Sequence, residues 1–139
     1  MAILMDVAAL EAFFATAFPQ MNAGGQHYTI TSVAENTATI RLDPDHRHLR
    51  PGDTVSGPTL FALADFAAYA VILAHIGPVA LAVTTNMTIN FLRKPALGPI
   101  LGTAQILKLG KRLAVIDIAV TSGEALVAQA TATYSIPPR

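Results

Sequence analysis

At 139 residues the chain is long enough for one domain with a sizeable core and short for two, so a single domain over residues 1–139 is expected. Hydrophobic residues make up 53% and charged residues only 13%, which excludes a disordered or solvating chain. The formal net charge is zero, which gives no electrostatic footprint for nucleic acid. Charged side chains are so few, at 9 basic and 9 acidic, that part of the surface is expected to be covered, most simply by a second copy. The absence of cysteine removes disulfides, thiolate metal sites and a cysteine nucleophile, and it fits a reducing, cytoplasmic location. The apolar first 19 residues carry Asp6 and Glu11 with no basic region before them, which does not read as a secretory signal.

Helical spacing of Val7, Leu10, Phe13, Phe14, Ala17 and Phe18 predicts an amphipathic helix capped by Asp6 and stopped by Pro19. Two β-branched segments, 28–33 and 37–42, follow as a hairpin across Glu35-Asn36, and residues 43–54 read as a polar loop. A second helix is predicted over 58–76, opened by Pro58 and closed by Gly77. It is apolar on every side apart from Asp65, with Tyr69 and His75 as its other polar-tipped residues, so it must be buried. Asp65, His75 and the Gly77-Pro78 break favour a protein core over a membrane span. Four strands are expected beyond it: 83–91, with period-2 alternation, then 100–109, 113–121 and 125–136, the last three joined by turns at 110–112 and 122–123. The expected architecture is α+β: four hairpin-linked strands in a curved antiparallel sheet wrapped around one central helix, with an extra N-terminal helix.

Asp65 carries the most chemical information. A carboxylate within an apolar helix is costly to bury, and no Lys or Arg stands within a helical turn of it, which marks a capped or interface acid on one reading and a functional acid on the other. Gly57 precedes the helix, where free N–H groups and the dipole can receive a developing oxyanion. Eight residues of helix separate the two by ~12 Å, too far to act on one carbonyl. If they cooperate, they come from two chains.

Residues Thr54 to Asp65, TVSGPTLFALAD, and Thr84 to Arg93, TTNMTINFLR, resemble the PaaI-type acyl-CoA thioesterases of the hotdog fold. The resemblance runs from about residue 50 to the end and implies that fold, a homodimer or dimer of dimers, and hydrolysis of an acyl-CoA with no cofactor beyond the coenzyme A of the substrate. It implies that Asp65 activates water or attacks the thioester, that the Gly57 amide polarises the carbonyl from the other subunit, and that Thr84 helps to hold the water. Ser56 stands where the family usually has His, and Pro58 where it has a second Gly. Strict alternation places Thr84 on the polar face with Asn86, away from Met87 and Ile89, so a bulge would be needed to turn it toward the helix.

Ser56, Pro58, Phe61 and Tyr69 are candidates for the substrate site, Phe61, Leu63, Phe66 and Tyr69 as an apolar acyl or aryl pocket. Arg93, Lys94, Lys108, Lys111 and Arg112 fall in a stretch without acids, and Arg93, Lys111 and Arg112 are candidates for the coenzyme A phosphates. Asp43, Asp45, His46 and His48 match no metal-site spacing and are expected to be a solvated loop, so no metal is predicted. Ser56 lacks a nucleophile-elbow motif, and His75 is expected in the core or at the helix dipole. A non-catalytic acyl-CoA binder and a hydratase of the same fold are the alternative readings; neither a nucleic acid nor a membrane is an expected partner.

Overall fold

The computed structural model describes residues 2–139. Helix α1 spans Val7–Ala17; Asp6 caps it by accepting a hydrogen bond from the Ala9 amide at 2.9 Å. Pro19 disfavours helical geometry at Phe18, which falls out of the helix one residue earlier than its apolar spacing suggests. Strands β1 (Tyr28–Ala34) and β2 (Thr37–Leu42) form the expected hairpin, turning on Asn36 at φ 67°. The expected loop 43–54 contains a short helical turn at His46–His48 and most of a small ribbon, β3 (Leu49–Arg50) with β4 (Thr54–Val55).

Helix α2 runs from Gly57 to Ile76, one residue longer at its start than predicted. By length and composition alone it could cross a membrane, yet 67% of its most apolar 18-residue window is buried inside the protein. Strands β5 (Val83–Phe91), β6 (Ile100–Leu109), β7 (Leu113–Ser122) and β8 (Ala125–Ser135) complete one six-stranded antiparallel sheet in the order β1-β2-β6-β7-β8-β5. Helix α2 touches all six strands, so the sheet wraps around it with α1 as an added helix, the arrangement the resemblance implies.

Strand order differs from the sequence expectation in one respect. Strand β5 does not form a hairpin with β6 but lies at the far edge, beside β8. Residues 92–99 carry Pro95, Gly98 and Pro99, which suit a crossing and not a tight turn. The two edge strands are thus β1 and β5. Glu11 on α1 closes part of the β1 edge by accepting from the Ile30 amide at 2.7 Å.

His75 belongs to the core. Its Nδ1 donates to the Val71 carbonyl at 2.7 Å and its Nε2 accepts from the Asn36 amide at 2.9 Å, tying the end of α2 to the β1–β2 turn. Helix and sheet approach closely at Gly102 on β6, where an added Cβ would lie 3.0 Å from Leu63 Cγ. Gly102→Ala is therefore expected to lower the unfolding free energy by about 1–3 kcal/mol through overpacking, measured by denaturant unfolding.

Candidate active site

Asp65 sits part-way along α2, half-buried, and two hydroxyls hold it from the sheet. Thr84 Oγ1 on β5 donates to Asp65 Oδ1 at 2.5 Å, and Tyr134 Oη on β8 donates to the same oxygen at 2.6 Å. The phenol also approaches the Asp65 carbonyl oxygen at 3.0 Å. No hydrogen bond reaches Asp65 Oδ2 among the described residues. Burial, followed by the neighbouring carboxylate, pushes the Tyr134 phenol far above its ordinary range, so it stays protonated and serves as a donor.

Thr84 reaches Asp65 because of a bulge. Thr84 pairs with Tyr134 and Asn86 with Thr133, which leaves Thr85 as an extra residue. That insertion reverses the face of everything before it, so Thr84 shares the helix-facing side with Met87 and Ile89 while Asn86 points away. The sequence reading does not single out Tyr134. Its only signal is an inward position in the alternation of β8, where a tyrosine reads as core.

Around Asp65 lies a cavity of about 360 Å³, lined by Phe66 and Tyr69 from α2, Thr84, Tyr134, the small residues Ala80 and Ala82, and the end of α1. Tyr69, a predicted pocket residue, donates its hydroxyl to the Ala80 carbonyl at 2.9 Å. No histidine lines this cavity among the described residues.

Gly57 opens on a different cavity, with Arg50, Phe91, Arg93 and Lys94 in its lining. The donors of the first helical turn can be accounted for one by one. Pro58 has no N–H; the Thr59 amide donates to Ser56 Oγ at 3.3 Å and the Leu60 amide to the Ser56 carbonyl at 3.1 Å. Among the described residues, Gly57 at the first helical position is left with the free donor. The Phe91 ring lies where a Gly57 Cβ would approach it at 3.3 Å. Ser56 is committed as the helix cap, its hydroxyl 2.8 Å from that of Thr59. Pro58 and Phe61 stand on the same first turns of the helix, Phe61 37% exposed and outside the Asp65 cavity. Leu63 points into the core.

The predicted basic group divides in space. Arg93 and Lys94 border the Gly57 cavity and Arg50 joins them, whereas Lys111 borders a cavity at the opposite end of α2 with His75 and Ile76, and Arg112 follows it in the β6–β7 turn. Twenty residues of helix, ~30 Å, separate these ends, so within one chain Lys111 and Arg112 do not approach Gly57. The 43–48 segment is a self-satisfied network. Asp45 accepts from the Arg47 guanidinium and amide, which holds its carboxyl down at about 2, and His48 Nδ1 accepts from the Asp45 amide at 2.8 Å. His27, distant in sequence, joins them: Nδ1 bonds the Asp43 carbonyl and Nε2 accepts from Arg47, and His27, Asp45 and His48 bring one potential ligand atom each within 4.8 Å of one another.

The sheet wrapped around one central helix agrees with what comparison finds. The model of the thioesterase superfamily matches residues 52–129, and the chain belongs to that family. A solved structure from Silicibacter sp. TM1040, of a protein provisionally classed as a thioesterase, is 50% identical, with 99% of this chain and 96% of that one covered at a TM-score of 0.89. The phenylacetic acid degradation protein PaaI of Thermus thermophilus, solved as a point mutant, is 26% identical, with 79% and 93% covered at a TM-score of 0.72. A Thermoplasma acidophilum protein provisionally named an esterase is 24% identical over 110 residues, 78% of this chain and 83% of its own length.

Proposed function

We propose that the protein is an acyl-CoA thioesterase of reducing compartments whose active site is assembled from two copies of the chain. The observation that carries this reading is the Asp65 carboxylate with Oδ1 held by Thr84 and Tyr134 and Oδ2 free, in a chain whose free Gly57 amide opens elsewhere.

Strand β5 supports the pairing of copies. It is an edge strand, with Thr84 beside Asp65 near one end and Phe91 against Gly57 at the other. An antiparallel pairing of β5 with the β5 of a second copy, about a two-fold axis near Met87 and Thr88, sets the Gly57 end of each chain beside the Asp65 end of the other. Val83, Phe91 and Leu92, each more than half exposed in the single chain, lie on or beside that edge and would be covered. Such dimers could pair again.

In that site the thioester carbonyl oxygen accepts from the partner's Gly57 amide, and the coenzyme A phosphates lie toward Arg50, Arg93 and Lys94 of the same partner. Asp65 draws a proton from a water that adds to the carbonyl carbon, or adds to that carbon itself and is released by water. On either route the carbon–sulfur bond breaks and the proton ends on the departing thiolate. No cofactor enters.

Assay of free thiol over a panel of alkyl- and aryl-acyl-CoA esters tests the reading, with turnover expected on at least one. Thermal stabilisation by these esters with no thiol released would overturn it in favour of an acyl-CoA binder, a reading the commitment of Ser56 to the helix cap keeps open. Water addition to an enoyl-CoA would favour the hydratase.

A further inference from the structure

The cavity beside Asp65 closes against the end of α1, where Ala17 and Phe18 join Phe66 and Tyr69 in its lining. Helix α1 lies outside residues 52–129, so the family match does not account for this wall. Phe18 meets Phe66 edge-on with ring centroids 5.6 Å apart and Tyr69 at 6.1 Å. Several contacts fix its place. Pro19 sets the break in the helix at Phe18, Phe14 stacks on Tyr69 at 5.6 Å, and Glu11 holds the β1 edge. Ahead of α1, the Leu4 and Met5 amides donate to the Ala74 carbonyl at 2.7 and 3.1 Å. The rest of the lining offers space: Ala17, Ala80 and Ala82 are small, and Asp65 is its one charged group. At about 360 Å³ the room is near the lower end of the roughly 300–1,000 Å³ usual for ligand cavities.

We infer that Phe18 is the end stop of the acyl cavity and restricts the enzyme to short and medium acyl groups or a single aryl ring. The inference rests on the acyl-CoA thioesterase reading and adds to it the residue that sets substrate size. An acyl tail entering past Asp65 gains apolar burial with each methylene until it meets a ring already fixed by two aromatic neighbours and the helix end. Longer tails then have to displace that half-buried ring from its contacts with Phe66 and Tyr69, which costs packing energy.

The experiment compares kcat/KM over saturated esters from butanoyl- to hexadecanoyl-CoA for the wild type, Phe18→Ala and Phe18→Trp. In the wild type kcat/KM rises by about fourfold per methylene and then turns down. Phe18→Ala moves the turning point to longer chains and Phe18→Trp to shorter ones. Loosening of α1 in either variant cannot produce shifts in opposite directions, and circular dichroism confirms that both are folded. Coincident chain-length profiles in the three proteins, with the wild type active, overturn the assignment of Phe18 and leave the thioesterase reading standing. Failure of the wild type to release thiol from any ester in the full alkyl and aryl panel overturns that reading, and this inference with it.

Discussion

Asp65→Asn is expected to lower kcat for acyl-CoA hydrolysis by at least about a hundredfold, the lower end of what a positioned base contributes. The substitution is nearly isosteric. An amide oxygen at Oδ1 still accepts from Thr84 and Tyr134, whose donors lie 2.5 and 2.6 Å away, so the helix stays tied to β5 and β8. What disappears is the negative charge and the lone pairs of Oδ2, the only carboxylate oxygen of Asp65 without a hydrogen bond among the described residues. Loss of charge weakens two charge-assisted bonds and relieves the desolvation of a half-buried carboxylate, two opposing effects that leave stability within about 2 kcal/mol of the wild type. The measurements are thiol release under saturating substrate and denaturant unfolding of the same preparation. Turnover equal to that of the wild type would remove Asp65 from the mechanism, and a collapse in stability would show that its charge serves the fold.

The parts of this site that were legible in the sequence are those whose signals are local. An apolar run with Pro58 at its start and Gly77 at its end reads as a helix hidden from water, and a carboxylate inside such a run stands out against its neighbours. A free Gly57 amide was legible from its place ahead of the helix and from the missing N–H of Pro58, whereas the commitment of Ser56 to the Thr59 amide was not, Ser56 being expected in the substrate site. Information held between distant segments was not legible. Nothing near Val83 indicates that β5 pairs with β8 and not with β6, since pairing partners are chosen by the whole sheet. The bulge at Thr85 inverts the face of Thr84, and a one-residue insertion leaves no mark in composition. Tyr134 meets Asp65 across 69 residues of sequence, and His27 meets Arg47 across 20. The basic residues mislead in the opposite sense, for Arg93 and Lys111 share a stretch of sequence but border opposite ends of α2.

The two-chain site makes a second prediction that an active site within one chain cannot meet. Gly57→Pro removes the free amide: proline is tolerated at the first helical position, and Ser56, at φ −70° and ψ 152°, already has the geometry that suits a residue before proline, while the new ring crowds Pro58, so circular dichroism and dimer formation are checked on the variant before assay. The Phe91 ring, 3.3 Å from where a Cβ would stand, has to give by a few tenths of an ångström. Gly57→Pro alone loses the carbonyl donor, worth about 10²–10³ in kcat at comparable sites, and Asp65→Asn alone loses the acid. Mixed in equal amounts, dissociated and reassembled at random, about half of the dimers hold one chain of each kind. In such a dimer one site combines the two lesions, and the other combines an intact Asp65 with an intact Gly57. The mixture should therefore recover about a quarter of wild-type activity, although neither parent has any appreciable share of it. Differential tagging confirms that mixed dimers have formed before the assay. Recovery near that fraction requires Asp65 and Gly57 to act from different chains, whereas mixed dimers without activity would place both groups in one chain and overturn the composite site.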